Sequence, residues 1–242
     1  MSNPYFKFKR FTVFHDESAM KVGTDGTLLG AWASLEGVKT VLDVGCGCGL
    51  ISLMIAQRSS ASAVLGIDID DASVRQAVRN VAASPWTDRV SIECHDVRDL
   101  KVDDFGRFDL VVTNPPFYEE DVACPDLSRN SARHTDCLSF EELVEAAARL
   151  LSEKGTLSLV LPAKSKSRFV GVAASRGLYL SRFTSVITKR GKQPKRALME
   201  FKRTLTDTVE DDLYIYNKGI YNKGMFSEKY VRLMKDFYYL NL

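Results

Sequence analysis

From residue 40 onward, short apolar runs alternate with longer stretches in which apolar residues recur every three or four positions. The runs are TVLDVGC (40–46), AVLGIDI (63–69), VSIECHD (90–96), FDLVVTN (108–114) and TLSLVLP (156–162). They are rich in Val, Ile and Leu, as strands covered on both faces are. Between them, LISLMIAQR, DASVRQAVRNVAA and SFEELVEAAARLLSEKG predict helices. In the last of these, Ser139 is a candidate N-cap, Glu142 lies three residues on, and Gly155 suits the helix end. Strands alternating with helices imply crossover connections and a parallel sheet with helices on both faces.

Two more strands are predicted in LYLSRFTSVITK and RALMEFKR, joined by the basic turn RGKQPK. They form an antiparallel hairpin at one sheet edge, which brings the expected sheet to seven strands. Near the end, SEKYVRLMKDFYYL carries an apolar stripe at Tyr230, Leu233, Met234 and Phe237 and predicts a packed helix. The first forty residues do not follow the alternation. YFKFKRFTVF interleaves aromatic and basic residues and reads as a short hairpin or edge strand; AMKVGTDGTLLGAWA is Gly-rich, then helical. The expectation is one domain over 1–242, with a core at 37–242 and residues 1–36 as an extension folding over it.

At 45% hydrophobic, the 242 residues suffice for a sizeable core. No apolar stretch reaches membrane-spanning length, and MSNPYFKFKR lacks a signal-peptide core, so a cytoplasmic protein is expected. Five cysteines (Cys46, Cys48, Cys94, Cys124, Cys137) are odd in number and lack zinc spacing. With His15, His95 and His134 scattered, neither disulfides nor a metal site is expected. The net charge of +2 hides an asymmetry: residues 161–203 carry +11 and the remainder −9. A polyanionic partner meeting one side fits that division; a merely solvated surface is the plainer alternative.

VLDVGCGCGL places Asp43 and then Gly45, Gly47 and Gly49 between the first core strand and its helix. Glycines let a backbone approach a ligand closely. The dinucleotide fingerprint needs glycine where Leu50 stands, and a carboxylate beside a pyrophosphate is unfavourable. A cationic ligand reverses the argument. S-adenosylmethionine (SAM) carries an ammonium and a sulfonium and has no phosphate, so Asp43 is placed to meet positive charge, directly or through water. Asp68, closing the next strand, suits ribose hydroxyls. Asp96, after the third, suits the adenine amino group.

The run FDLVVT ends on Asn114, Pro115, Pro116 and Phe117. Two prolines fix the exit path and hold Asn114 and Phe117 at the carboxyl end of a strand, where open α/β sheets bind ligands. An adenine exocyclic amine is a poor nucleophile because its lone pair is delocalised into the ring. The Asn114 side-chain oxygen and the Pro115 carbonyl offer two acceptors for its N–H groups, and Phe117 offers a stacking face. The work is then positioning and electrostatic preorganisation.

DVGCGCG together with NPPF resembles the SAM-dependent amino-methyltransferases, whose motif is (N/D)PP(F/Y/W). FKFKRFTVFHDESAMKVGTDGTLLGAWA resembles the N-terminal signature of the bacterial tRNA1(Val) (adenine-37-N6)-methyltransferases. The likeness continues through NPPFYEED, RHTDCLSFEEL and VRLMKDFYYL, nearly the whole chain. It implies a Rossmann-like class I SAM-dependent methyltransferase fold, SAM as methyl donor and S-adenosylhomocysteine as product. It also implies methylation of adenine 37 beside the anticodon of a valine tRNA, with no obligate protein partner. By this resemblance Lys21, Thr24 and Asp25 lie near the methionine end of the cofactor and Asn114 contacts cofactor and acceptor alike; Thr24 and Asp25 read equally well as helix capping. Candidate RNA contacts are Arg129, Arg133 and His134 in the long polar loop, and Lys189, Arg190, Lys192, Lys195 and Arg196 at the basic turn. Other readings stay open: an NPPF enzyme acting on rRNA, DNA or a protein glutamine, and a SAM-binding module without catalysis.

Overall fold

The computed structural model describes residues 3–18, 20–61, 63–115, 138–217 and 225–239. A two-stranded antiparallel sheet, β1 (Tyr5–Lys7) and β2 (Thr12–Phe14), comes first and is followed by α1 (Thr24–Trp32). The strand–helix alternation then runs through β3 (Thr40–Val44), α2 (Leu50–Arg58), β4 (Ala63–Asp68), α3 (Asp71–Ala82) and β5 (Val90–Cys94). It continues with the short α4 (Val102–Phe105), β6 (Phe108–Thr113), α5 (Phe140–Leu150) and β7 (Leu151–Pro162). After these come α6 (Lys166–Ser175), β8 (Tyr179–Lys189), β9 (Arg196–Lys202), β10 (Val209–Tyr216) and α7 (Glu228–Met234).

Eight strands form the main sheet, in the order β10-β8-β9-β7-β6-β3-β4-β5. The five from β7 to β5 are parallel, β9 runs antiparallel to both its neighbours, and β10 lies parallel to β8. The hydrophobic pattern predicts seven strands; β10 is the eighth. It reads VEDDLYIY, and its first four residues are exposed, three of them acidic, so it lacks an apolar run. Because β10 takes the edge, the β8–β9 hairpin is internal to the sheet rather than at its border.

Each face of the sheet buries a layer of helices. Leu28 of α1 and Leu53 and Ile55 of α2 pack on one face, where Phe8 and Phe237 join them. Leu143 and Leu150 of α5 and Phe169 of α6 pack on the other. Burying each such side chain stabilises the fold by about 1.5–3 kcal/mol. Alternation along β3 assigns its residues to these faces: Leu42 and Val44 join the α5 side, Val41 the α2 side. Asp43 therefore points towards α2.

Local signals explain the ends of several elements. Ser139 and Glu142 form a reciprocal capping box at the start of α5, as their spacing predicts. That helix ends at Leu150, well before Gly155. Gly155 instead sits inside β7, near a register shift against β6; a Cβ there would lie 2.9 Å from the Phe108 carbonyl oxygen. Close backbone approach, not helix termination, requires glycine. Among the described residues, no helix is long and apolar enough to cross a membrane.

α1 is fastened to the sheet by polar groups. The buried Glu200 of β9 accepts from the Ser34 backbone N–H at 2.7 Å and its hydroxyl at 2.8 Å. The Trp32 Nε1–H donates to Thr184 Oγ1 at 3.0 Å, and the Arg182 guanidinium lies 4.0 Å from the Trp32 ring centroid. These contacts fix the C-terminal end of α1, so its first turn is held at the carboxyl ends of the parallel strands.

Candidate active site

A cavity of about 650 Å³ opens at those strand ends. Its floor is the loop from β3 to α2, and Gly45, Cys46, Gly47 and Cys48 line it. Gly47 has φ +54°, a left-handed conformation suited to glycine, and a Cβ there would lie 3.5 Å from Ser18 Oγ. Gly45 shares this left-handed conformation at φ +67°, although a Cβ there would meet nothing within 4 Å. Gly49 differs from its sequence expectation as a cofactor contact. It caps α2 with φ +79°, an added Cβ there would lie 3.3 Å from Ala77 Cβ of α3, and it is not part of the cavity lining.

Asp43 also departs from its expected place. It is fully buried and is not part of the lining; one carboxylate oxygen accepts from the Ser52 backbone N–H at 2.9 Å and from its hydroxyl at 2.6 Å. The cause is the strand alternation that turns this side chain towards α2. Its other oxygen, Oδ1, is buried without a partner among the described residues. Burial pushes the Asp43 pKa up to about 7 against the pull of the Ser52 hydrogen bonds. The folded state therefore holds this proton more tightly than the unfolded chain. The stabilisation is full below the ordinary value of 3.8 and is lost as pH rises through about 7. Thermal unfolding without cofactor should show a melting temperature falling across that window, and Asp43→Asn should flatten the fall. Parallel curves for parent and variant would contradict this account of Asp43.

Asp68 ends β4 on the cavity wall. Its Oδ2 accepts from the Gly47 N–H at 2.8 Å and its Oδ1 from the Asp70 N–H at 3.0 Å. A carboxylate has about four lone-pair positions, so two remain for hydroxyl donors. Asp96 lines the cavity too, but Arg98 grips its carboxylate, with Nε 3.0 Å from Oδ1 and 2.9 Å from Oδ2. Hydrogen bonding to Arg98 holds Asp96 below the usual carboxylate range. Its expected role towards an adenine amino group must therefore be shared with this ion pair. The Cys46 and Cys48 thiols are pushed up by burial, Cys48 to about 11, so both stay protonated at neutral pH.

The opposite wall comes from the N-terminal stretch and the end of β6. Met20, Lys21, Thr24, Asp25 and Gly26 line it together with Asn114 and Pro115. The helix cap of α1 is Gly23, with no side-chain capping bond, so neither Thr24 nor Asp25 serves as that cap. Asn114 Nδ2 donates to Met20 Sδ at 3.3 Å, and Asn114 Oδ1 is buried without a partner among the described residues. Arg196, expected at the basic turn as an RNA contact, is in the lining as well: its Nε donates to Asp25 Oδ2 at 2.6 Å. It opens β9 opposite Pro162, the last residue of β7, which puts its side chain within reach of the cavity.

The basic turn itself, carrying Lys189, Arg190, Lys192 and Lys195, joins β8 to β9 at the same end of the sheet as the cavity. The Arg190 guanidinium lies 5.6 Å from the Tyr214 ring centroid, while Lys192 and Lys195 are exposed. Pro116, Phe117, Arg129, Arg133 and His134 lie outside the described residues. Met20, Ser18 and Arg98 belong to the lining without having been singled out in the sequence. Met20 immediately precedes Lys21 in the signature stretch, but a lone Met carries no chemical signal.

The donor set suits a nucleoside joined to a cationic amino acid. A carboxylate closes β4 for a ribose, no basic side chain stands in the glycine loop for a phosphate, and the volume lies in the range of small-molecule sites. Residues 18–174 match the methyltransferase small domain family. A tRNA1(Val) (adenine(37)-N6)-methyltransferase of Phocaeicola vulgatus is 48% identical over 98% of this chain and 99% of its own length. The chain belongs to that methyltransferase family. A relative of the same name from Escherichia coli O157:H7 is 39% identical over 96% of this chain and 94% of its own. The fold is likewise that of a solved, predicted O-methyltransferase from Agrobacterium tumefaciens, with a TM-score of 0.67 at 20% identity, covering 88% of this chain and 96% of that one. In this methyltransferase the glycine loop, Asp68, Asn114 and the N-terminal stretch all line one cavity.

Proposed function

We propose that this chain transfers a methyl group from SAM to the exocyclic N6 of adenine 37 in a valine tRNA, in the cytoplasm, with the whole chain acting as one methyltransferase domain. Residues 1–36 serve as the extension that folds over the cofactor site. The observation that carries the reading is Asn114 Oδ1, a buried acceptor without a partner among the described residues, on a residue lining the cavity. An unsatisfied buried acceptor costs about 1–3 kcal/mol, so an amine N–H that reaches it is bound strongly. The relatives' names supply the nucleotide and the tRNA.

When bound, SAM supplies an electrophilic methyl group on a sulfonium. Asp68 and the N–H groups of the glycine loop hold the nucleoside part. Lys21, Thr24 and Asp25 lie towards the methionine part, where Arg196 balances the Asp25 charge. Asn114 accepts one N–H of the target amine and the Pro115 carbonyl the other, which leaves the nitrogen lone pair directed at the methyl. Phe117 stacks on the base. As the new N–C bond forms, the S–C bond breaks; the methylated nitrogen then becomes acidic and gives its proton to water. No strong general base is needed, and the residues contribute position and preorganised polarity. Adenine 37 lies in a single-stranded loop, so turning it out costs less than flipping a paired base.

Labelled methyl transfer to total tRNA, rRNA, DNA and protein tests the reading. Label in tRNA as N6-methyladenosine is expected; label confined to another class overturns it. The basic turn gives a further expectation. Replacing Lys189, Arg190, Lys192 and Lys195 with Ser should weaken tRNA binding and flatten its salt dependence, by about 0.7–0.9 in log–log slope per lost phosphate contact. SAM affinity should be unchanged in the same calorimetric series. An unaltered salt slope would remove this turn from the RNA interface.

A further inference from the structure

The reaction needs an acceptor atom at Asn114, but an asparagine amide has two faces of opposite character. One end is a carbonyl oxygen that accepts; the other is an NH2 that only donates. Rotating the amide by half a turn exchanges them and places a donor where the amine N–H must go. Two N–H groups then face one another, and the acceptor site is lost. Something must therefore choose between the two orientations.

The structure shows what touches the amide. Asn114 Nδ2 lies 3.3 Å from Met20 Sδ. A thioether sulfur accepts and cannot donate, so it favours the NH2 end and gives nothing to the carbonyl end. Gly26 of α1 stands on another side, where an added Cβ would sit 3.9 Å from the same Nδ2 and 3.3 Å from Leu50 Cδ2. Asn114 Oδ1 has no partner among the described residues. Among the described residues, Met20 is thus the hydrogen-bonding contact of this amide, and it bears on the atom that the chemistry does not use.

We infer that Met20 is a positioning residue: its sulfur takes the Asn114 NH2 and so keeps Oδ1 as the acceptor presented to the substrate amine. The inference rests on the acceptor role proposed for Asn114. Met20 does not touch the reacting atoms, and its contribution is the bias of one amide orientation over the other. A weak hydrogen bond to sulfur gives a bias of about two- to fivefold.

The test is a double-mutant cycle built on symmetry. Met20→Leu keeps size and apolar character but removes the acceptor. Asn114→Asp makes the amide question disappear, because a carboxylate presents an oxygen in either orientation. Single-turnover methyl transfer to tRNA at saturating SAM should fall about two- to fivefold in Met20→Leu, with tRNA KM and SAM affinity unchanged. In the Asn114→Asp background the same substitution should have no effect. A Met20 that merely packs the wall would give no loss in either background or an equal loss in both, and either result overturns the inference. A second readout stands apart from the substrate assignment and from the activity of Asn114→Asp. The side-chain amide resonances of Asn114, assigned by their disappearance in that variant, should shift in Met20→Leu. If the parent leaves tRNA unmethylated, the proposed substrate fails, while the amide shift still supports the contact; unshifted resonances overturn it.

Discussion

Asn114→Ala should lower single-turnover methyl transfer by at least about a hundredfold while SAM still binds. Asn114 follows the last residue of β6, and Thr113 anchors that exit by donating its hydroxyl to the Val44 carbonyl at 2.8 Å. The exit path is therefore tied to the strand that leads into the glycine loop. Alanine leaves this backbone in place and removes only the amide. The amine then lacks one of two acceptors that distinguish a lone pair aimed at the methyl from one delocalised in the ring. Loss of one preorganised polar group costs about 2.7–4 kcal/mol in comparable sites. Near-normal transfer with the alanine variant would refute the acceptor role.

Asp68→Ala should produce the complementary phenotype, a loss of cofactor affinity of about tenfold to a hundredfold or more, from about 1.5–3 kcal/mol for hydrogen bonds to a charged acceptor. Two effects add. In the proposed role of Asp68 the ribose hydroxyls lose their acceptor, and the Gly47 N–H loses the carboxylate it donates to at 2.8 Å. Calorimetry with SAM reads the sum. Asp68→Asn separates the parts, since it keeps a carbonyl oxygen for Gly47 while discarding the charge. Unchanged affinity in the alanine variant would take Asp68 out of the site.

The parallel half of the fold was legible in the sequence because β3, β4 and β6 are mostly buried apolar runs followed by helical periodicity, and β5, half-exposed at the sheet edge, still carries Val90 and Ile92 in alternation. β10 was not, since an edge strand needs only one apolar partner face and can carry Glu210, Asp211 and Asp212 towards solvent. The site divides in the same way. Asn114, Pro115, Asp68 and the first two glycines announce themselves by residue type at the end of a strand. Asp43 and Gly49 carry the same local signal, yet their side of the backbone decides otherwise: one faces Ser52, the other Ala77. The charge run groups Arg196 with the basic turn, and only its pairing opposite Pro162 reveals the link to Asp25. Met20 was invisible because its contact with Asn114 spans 94 residues of sequence.

The most direct measurement is nucleoside mapping of an unmodified tRNA1(Val) transcript after one turnover with the purified chain and labelled SAM. One methyl group per tRNA is expected, recovered as N6-methyladenosine at position 37, with no incorporation when that adenine is replaced by guanine. Methylation at another atom or position, or equal incorporation into the guanine-substituted transcript, would contradict it.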